Sequence, residues 1–302
     1  MKTLLLLLLS SGLCLSISAQ PPASHLYVFN VQKVGDTLFQ FSAPKFLSAF
    51  NLKGYNNHPF FFSNNELYIS SQSPKESQPE LYSLNLSTGV RSRVTETPDG
   101  EYSPRPVGDG QNFSAVRMEF TQGDTLQRLW QFPINRSSKG QPVFTDIDNV
   151  GYYLWLSTRE LLLFLVGKPS QLARVDVGSS RKEVIAVNPG RCIRRITGLG
   201  AYFVQKSSSF SQPWKIMKWD QRAVGRIQVS EVVNTLNGSE DFALMSDGSL
   251  IMGNGPILYR FRPGVDRTWK KMADFSYYNI QKITRIEVSP DNGKIVFVGQ
   301  TN

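Results

Sequence analysis

Ile286-Glu287-Val288-Ser289-Pro290-Asp291-Asn292-Gly293-Lys294-Ile295-Val296 decides the fold of this chain. Two apolar runs flank a turn whose Asn and Gly tolerate positive φ, which describes a β-hairpin. Working back toward the N-terminus, the same unit recurs at Phe242 to Ile251, Ile196 to Phe203, Tyr153 to Leu162, Pro104 to Ser114 and Pro59 to Ile69. The copies fall roughly 45 residues apart, within the span of about 40–50 residues that a four-stranded propeller blade takes.

A second hairpin fits between copies. Glu80 to Leu86 and Arg91 to Thr95 make one. Leu129 to Phe132 with Pro142 to Phe144 make another, and Ile257 to Phe261 with Trp269 to Met272 a third. Leu84, Leu86 and Tyr82 share a face at period two. No window after the first twenty residues keeps helical spacing without a break. Leu161 to Val166 is the longest apolar run there, and it fits a buried strand rather than a membrane span.

The last copy holds only a first hairpin. Leu26 to Phe29 and Thr37 to Phe41 form an orphan second hairpin near the start. Joined, they complete one blade and close the ring, which removes the open edges that invite aggregation. The expected fold is therefore all-β: a six-bladed propeller of four-stranded antiparallel blades, closed by a composite N- and C-terminal blade. The expected organisation is a signal at 1–19 and one domain at 20–302. Its blades span about 52–97, 98–146, 147–190, 191–237, 238–280, and 281–302 joined with 24–50.

Lys2, the apolar run Leu4 to Leu9, and small residues ending at Ala19 describe a cleaved secretory signal. Leu13 stands where a lipoprotein signal places a small residue, and Cys14 lies inside the apolar run, so no lipidation is expected. Cleavage leaves Cys192 alone, so no intrachain disulfide can form. The destination is the periplasm or the outside of the cell, with no transmembrane segment after signal removal.

The formal net charge is +9, a mild excess that favours acidic partners. No basic run is interleaved with stacking aromatics, so nucleic acid is not an expected partner.

Ser289-Pro290-Asp291-Asn292-Gly293-Lys294-Ile295-Val296-Phe297 resembles the TolB-like propeller repeat, whose hallmark is a Ser-Pro-Asp-Gly turn. Glu80 to Thr95 is similar to the second half of that repeat. Glu101-Tyr102-Ser103-Pro104-Arg105-Pro106, Gly151-Tyr152-Tyr153-Leu154-Trp155 and Gly190-Arg191 are similar to a bacterial TolB-like subgroup, and the Ala19-Gln20 junction to export signals common in Bacteroidota. The resemblance implies a monomeric propeller that binds protein partners in the envelope at the mouth of its channel. Other members carry a hydrolase domain, which is not expected here.

No catalytic constellation emerges. His58 lacks a Gly-x-Ser-x-Gly elbow elsewhere in the chain, and His25 lies near the mature terminus. The expected role is a non-catalytic scaffold that binds a protein partner through inter-blade loops. The alternative is a channel that binds or hydrolyses a small sugar, lactone or phosphoester. The residues expected at the channel mouth are His58, Glu101, Tyr102, Arg105, Tyr153, Arg191, Arg194, Arg195, Glu240, Asp241, Tyr277 and Tyr278. Tyr and Arg are the types that most often anchor interfaces. Arg191, Arg194 and Arg195 are placed in a loop before an inner strand, where they suit carboxylate or phosphate. Asp146 and Asp148 open a run similar to a calcium loop, but Val150 and Ser157 stand at ligand positions, so no calcium and no other cofactor is expected.

Overall fold

A computed structural model describes residues 21–300, apart from 37, 43, 122, 210, 211 and 224. The signal expected at 1–19, including Cys14 and Ala19, lies outside the described residues.

Six antiparallel sheets form the blades of an all-β propeller. Blade 1 runs outward from its innermost strand, Tyr55–Phe61, through Glu66–Gln72, Glu80–Asn85 and Arg91–Arg93. The innermost strands of blades 2 to 5 are Gly100–Pro106, Val150–Trp155, Pro189–Ile196 and Phe242–Leu244. Among the described residues, helix is limited to the 3-10 turns Ala49–Asn51 and Ser276–Tyr278. None is long and apolar enough to cross a membrane.

Blade 6 is the composite. Its inner strands are Lys282–Val288 and Lys294–Gln300; its outer strands are His25–Lys33 and Phe39–Phe41. The closing ladder pairs His25 with Gly299 and Asn30 with Lys294. Lys45–Phe46 adds a short fifth strand against His25–Lys33.

Each seam between blades has its own apolar cluster, so the core is a ring of six wedges. Blade 3 shows why: Tyr153, Trp155, Leu161 and Leu163 face blade 2, while Leu154, Leu156 and Leu162 face blade 4. Alternation at period two makes a strand buried on both faces read as a continuous apolar run. Each such side chain contributes about 1.5–3 kcal/mol on burial. The seam between blades 1 and 2 differs. Its apolar cluster is small, built on Tyr68, Leu81, Phe113, Ala115 and Phe132. The charged residues Glu80, Glu101 and Arg117 are buried there too.

The turn at Ser289 to Gly293 is stabilised internally and ties neighbours together. Ser289 Oγ donates to Asp291 Oδ1 at 2.6 Å, and the Gly293 amide donates to the same oxygen at 2.8 Å. Asn292 occupies φ 59°, the left-handed region in which an Asn is tolerated. Its Nδ2 donates to Ser246 Oγ of blade 5 at 2.7 Å, and the Asp291 amide donates to Asn64 Oδ1 of blade 1 at 3.0 Å.

Candidate functional site

The innermost strands do not run smoothly. Five of the six carry a register shift, between Asn57 and Phe60, Tyr102 and Arg105, Val150 and Tyr152, Pro189 and Ile193, and Ile283 and Arg285. Such bulges re-aim side chains. Two place non-glycine residues in the left-handed region, His58 at φ 53° and Ser103 at φ 56°. Backbone of this kind persists only where its surroundings over-determine it.

Around the channel one side chain from each blade forms a linked set, five of them at or beside the bulges and Asp241 just before its strand. His58 Nδ1 of blade 1 lies 2.7 Å from Ser103 Oγ of blade 2, a hydrogen bond. The His58 ring stacks on Tyr152 of blade 3, with centroids 6.2 Å apart and planes 14° apart. Tyr152 Oη accepts from Arg285 Nη2 of blade 6 at 3.1 Å. Arg285 Nη1 lies 3.7 Å from Asp241 Oδ1 of blade 5. Asp241 in turn receives the Arg191 fork of blade 4, with Nε at 3.2 and 3.1 Å from its two oxygens.

A second layer lies against the first. Arg194 makes three bonds across blades: Nε donates to Phe242 O at 2.7 Å, Nη2 to Ile286 O at 2.7 Å, and Nη1 to the Glu287 carboxylate. It ties blade 4 to blades 5 and 6. Arg105 instead lays its guanidinium over the Phe60 ring, 4.6 Å from the centroid. Together these residues enclose a cavity of about 40 Å³. A wider pocket of about 400 Å³ lies beside it, lined by Tyr55, Tyr102, Phe164 and others, and shares His58, Tyr152 and Arg285 with it.

The channel is strongly polarised. Burial works to raise Asp241, but the Arg285 charge and the Arg191 fork outweigh it and hold the carboxyl below its ordinary value. Burial first, then the charges of Arg285, Arg191 and Arg105, holds His58 well below the ordinary imidazole value. His58 is therefore a neutral ring at neutral pH. Burial, followed by the Arg194 charge, pulls the Arg105 guanidinium down.

Of the expected residues, His58, Tyr102, Arg105, Arg191, Arg194 and Asp241 converge on these two cavities. The others do not. Glu101 is fully buried in the seam between blades 1 and 2. Tyr153 is buried between blades 2 and 3, where its Oη donates to Ser103 O at 2.8 Å. Arg195 is exposed and lines neither cavity. Glu240 lies behind the channel, accepting from the Arg191 amide at 2.6 Å and paired with Lys206 at 3.2 Å. Tyr277 is 90% exposed. Tyr278 packs on Phe29, centroids 5.3 Å apart.

The arginines are also not in a loop. Arg191 and Arg194 lie within the innermost strand itself. Gly190 permits this, because a Cβ there would come within 2.7 Å of Val204 and 2.9 Å of Glu240. His58 likewise lies within its strand rather than before it. Asp146 accepts from Ser180 Oγ at 2.8 Å. Among the described residues no cluster of three or more metal-ligating side chains is present.

Sequence reasoning did not select Ser103, Tyr152, Arg285 and Glu287. A signal for most of them exists: His58, Ser103, Tyr152, Arg191, Asp241 and Arg285 recur at roughly the 45-residue blade period. Aligning the copies on that period, rather than on their turns, picks out the ring.

No protein-family model and no curated protein matches the chain. Solved structures do. A protein described as TolB from Agrobacterium tumefaciens superposes with TM-score 0.61 at 12% identity, covering 92% of this chain and 98% of that one. TolB from Acinetobacter baumannii gives TM-score 0.53 at 13% identity over 91% of this chain. This chain spans 64% of that TolB, just under two thirds of its length. An oligogalacturonate lyase from Vibrio parahaemolyticus gives 0.50 at 12% identity, covering 92% and 98%. The fold is thus the TolB-like six-bladed propeller, and the same fold carries an enzyme in another protein. Likeness at these identities speaks to fold alone.

Proposed function

We propose that this chain is an exported, monomeric binding propeller that takes a protein partner of the cell envelope at its channel mouth. The observation that carries the reading is the pocket of about 400 Å³. Tyr55, Tyr102, Tyr152 and Phe164, from three different blades, surround Arg285 there. Aromatic side chains and Arg in a concave, partly desolvated setting are the usual anchors of protein interfaces. The rigid ring pre-organises them, which lowers the cost of association.

Arg191 is spent on Asp241 and Arg195 lies elsewhere, so they are the wrong residues to test. Tyr102→Ala and Tyr152→Ala are the right ones. The mature protein is used to isolate its partner from the native envelope, and binding to the purified partner is then measured. Either substitution is expected to weaken binding by about tenfold or more, the scale of an interface anchor. Unchanged binding by both variants would remove the mouth as the docking surface.

The His58–Ser103 pair supports a second reading, hydrolysis of a small ester or lactone in the channel. A hydroxyl within hydrogen-bond reach of an imidazole is the core of a nucleophile–base pair. Against it, no carboxylate among the described residues bonds the His58 ring, and three nearby arginines oppose its protonation. Turnover of chromogenic esters that vanishes in Ser103→Ala would establish this reading; equal rates in both proteins would discard it.

A further inference from the structure

We propose that the inner cavity of the channel is a carboxylate site in which Arg105 is the anchoring group. The proposal rests on the binding reading above and specifies what the channel takes.

The charges around the cavity do not balance. Arg105, Arg191, Arg194 and Arg285 line it with only two carboxylates, Asp241 and Glu287. Arg191 and Arg285 share Asp241. Arg194 takes Glu287. Arg105 is left with no ion pair and no side-chain hydrogen bond among the described residues; its guanidinium meets the Phe60 face instead. An aromatic face satisfies a cation's charge only in part and none of its N–H donors. A guanidinium in such a position carries a desolvation cost that an anion would remove.

The shape of the space selects the anion. One water needs roughly 10–15 Å³, so a cavity of about 40 Å³ has room for about three such centres. A carboxylate has three non-hydrogen atoms, and its two oxygens match the planar fork of one guanidinium. Phosphate is larger and wants several donors at once. The neighbouring Arg194 already spends three of its five N–H donors on Phe242, Ile286 and Glu287, so what selects against phosphate is chiefly its size. A carboxylate at Arg105 is served by the one guanidinium that is free. It belongs either to a small free acid or to the C-terminus of a peptide.

The test is an NMR titration of the mature protein in which the arginine Nε–H resonances are followed at constant ionic strength. The probes are acetate, N-acetylglycine, N-acetylglycinamide and inorganic phosphate, with chloride as the balancing ion. Acetate and N-acetylglycine are expected to shift the Arg105 resonance saturably. The amide is expected to leave it in place, and phosphate to bind about tenfold more weakly or worse, because it is larger than the space holds. Arg105→Lys keeps the charge but loses the fork, and is expected to weaken acetate by about tenfold. The exposed-site variant Arg159→Gln should bind as the parent does. N-acetylglycine binding more tightly than acetate assigns the site to a chain terminus; equal affinity assigns it to a small acid. Non-saturating shifts spread over many arginines, or full acetate affinity in Arg105→Lys, would overturn the proposal. If the mouth variants abolish partner binding while acetate ignores Arg105, only the carboxylate site fails. If acetate saturates Arg105 while no partner is found, the site stands without the docking role.

Discussion

Glu101 and Glu80 face each other, carboxyl to carboxyl, in the seam between blades 1 and 2. Each keeps one oxygen satisfied: Glu101 Oε1 takes Thr97 Oγ1 at 2.6 Å and Arg117 Nε at 2.9 Å, and Glu80 Oε1 takes Arg93 Nη2 at 3.1 Å. The second oxygen of each is buried without a donor. A proton on Glu101 would supply a donor there. Burial first, with the neighbouring Glu80 adding to it, pushes the Glu101 carboxyl up to about 8 against the opposing pull of Thr97 and Arg117.

That relationship fixes a pH dependence. A carboxyl with a raised folded-state pKa binds more protons when folded than when unfolded. Its contribution is full below the unfolded value and is lost as pH rises toward about 8. The slope reaches at most ~1.4 kcal/mol per pH unit for one proton. Urea unfolding from pH 5 to pH 8 should show falling stability, and Glu101→Gln, which keeps a donor for Glu80, should flatten that fall. A parent protein whose stability rises across this range would contradict the raised Glu101 carboxyl.

Arg194 predicts a structural effect of a different size. Its three inter-blade bonds cannot all be replaced, and Arg194→Met leaves the half-buried Glu287 without its partner. A loss of about 3–5 kcal/mol is expected in denaturant unfolding, the usual cost of breaking a buried pair from one side.

Tyr153→Phe removes one oxygen from a chain of bonds. Trp155 Nε1 donates to Ser114 Oγ at 2.9 Å, Ser114 Oγ to Tyr153 Oη at 3.0 Å, and Tyr153 Oη to Ser103 O at 2.8 Å. The substitution should cost about 1–3 kcal/mol, because it orphans the buried Ser103 carbonyl. It should also perturb the His58 ring resonances, since Ser103 holds His58. A stability change with those resonances unmoved would separate the seam from the channel.

Cys192 is expected to be inert in the native protein. Burial pushes its thiol up to about 11. The Sγ both donates to Phe242 O at 3.2 Å and accepts from the Phe242 amide at 3.3 Å. Thiol reagents should label it only after denaturant is added; rapid labelling at neutral pH would show that the seam between blades 4 and 5 opens.

The blade count and the closure were legible because both rest on short-range patterns: an apolar run, a turn, a second run, repeated at a fixed spacing. The channel was less so. Choosing Tyr153 rather than Tyr152 is an error of one residue, and in a strand that moves a side chain from one face to the other. The bulge between Val150 and Tyr152 sets which face is which, and its one local signal is Gly151, where a Cβ would come within 2.9 Å of Phe164. Glu101 reads as a loop acid, yet it is buried because Arg117 and Glu80 meet it from other strands. Glu287 was read only as part of an apolar hairpin, and Arg285 lies one residue before that hairpin and was not read at all. Their role appears once the ring brings them beside Asp241 and Arg194.

The ladder between His25–Lys33 and Lys294–Gln300 makes the sixth blade a joint product of segments far apart in the sequence. Every other blade can assemble from its own neighbouring strands, whereas this one needs the first and last described strands to meet. Until then the molecule is an open arc with unpaired strands at both ends, and that arc carries the largest loop-closure cost in the chain. Until that ladder forms, the disc stays open and the channel side chains are not all brought together.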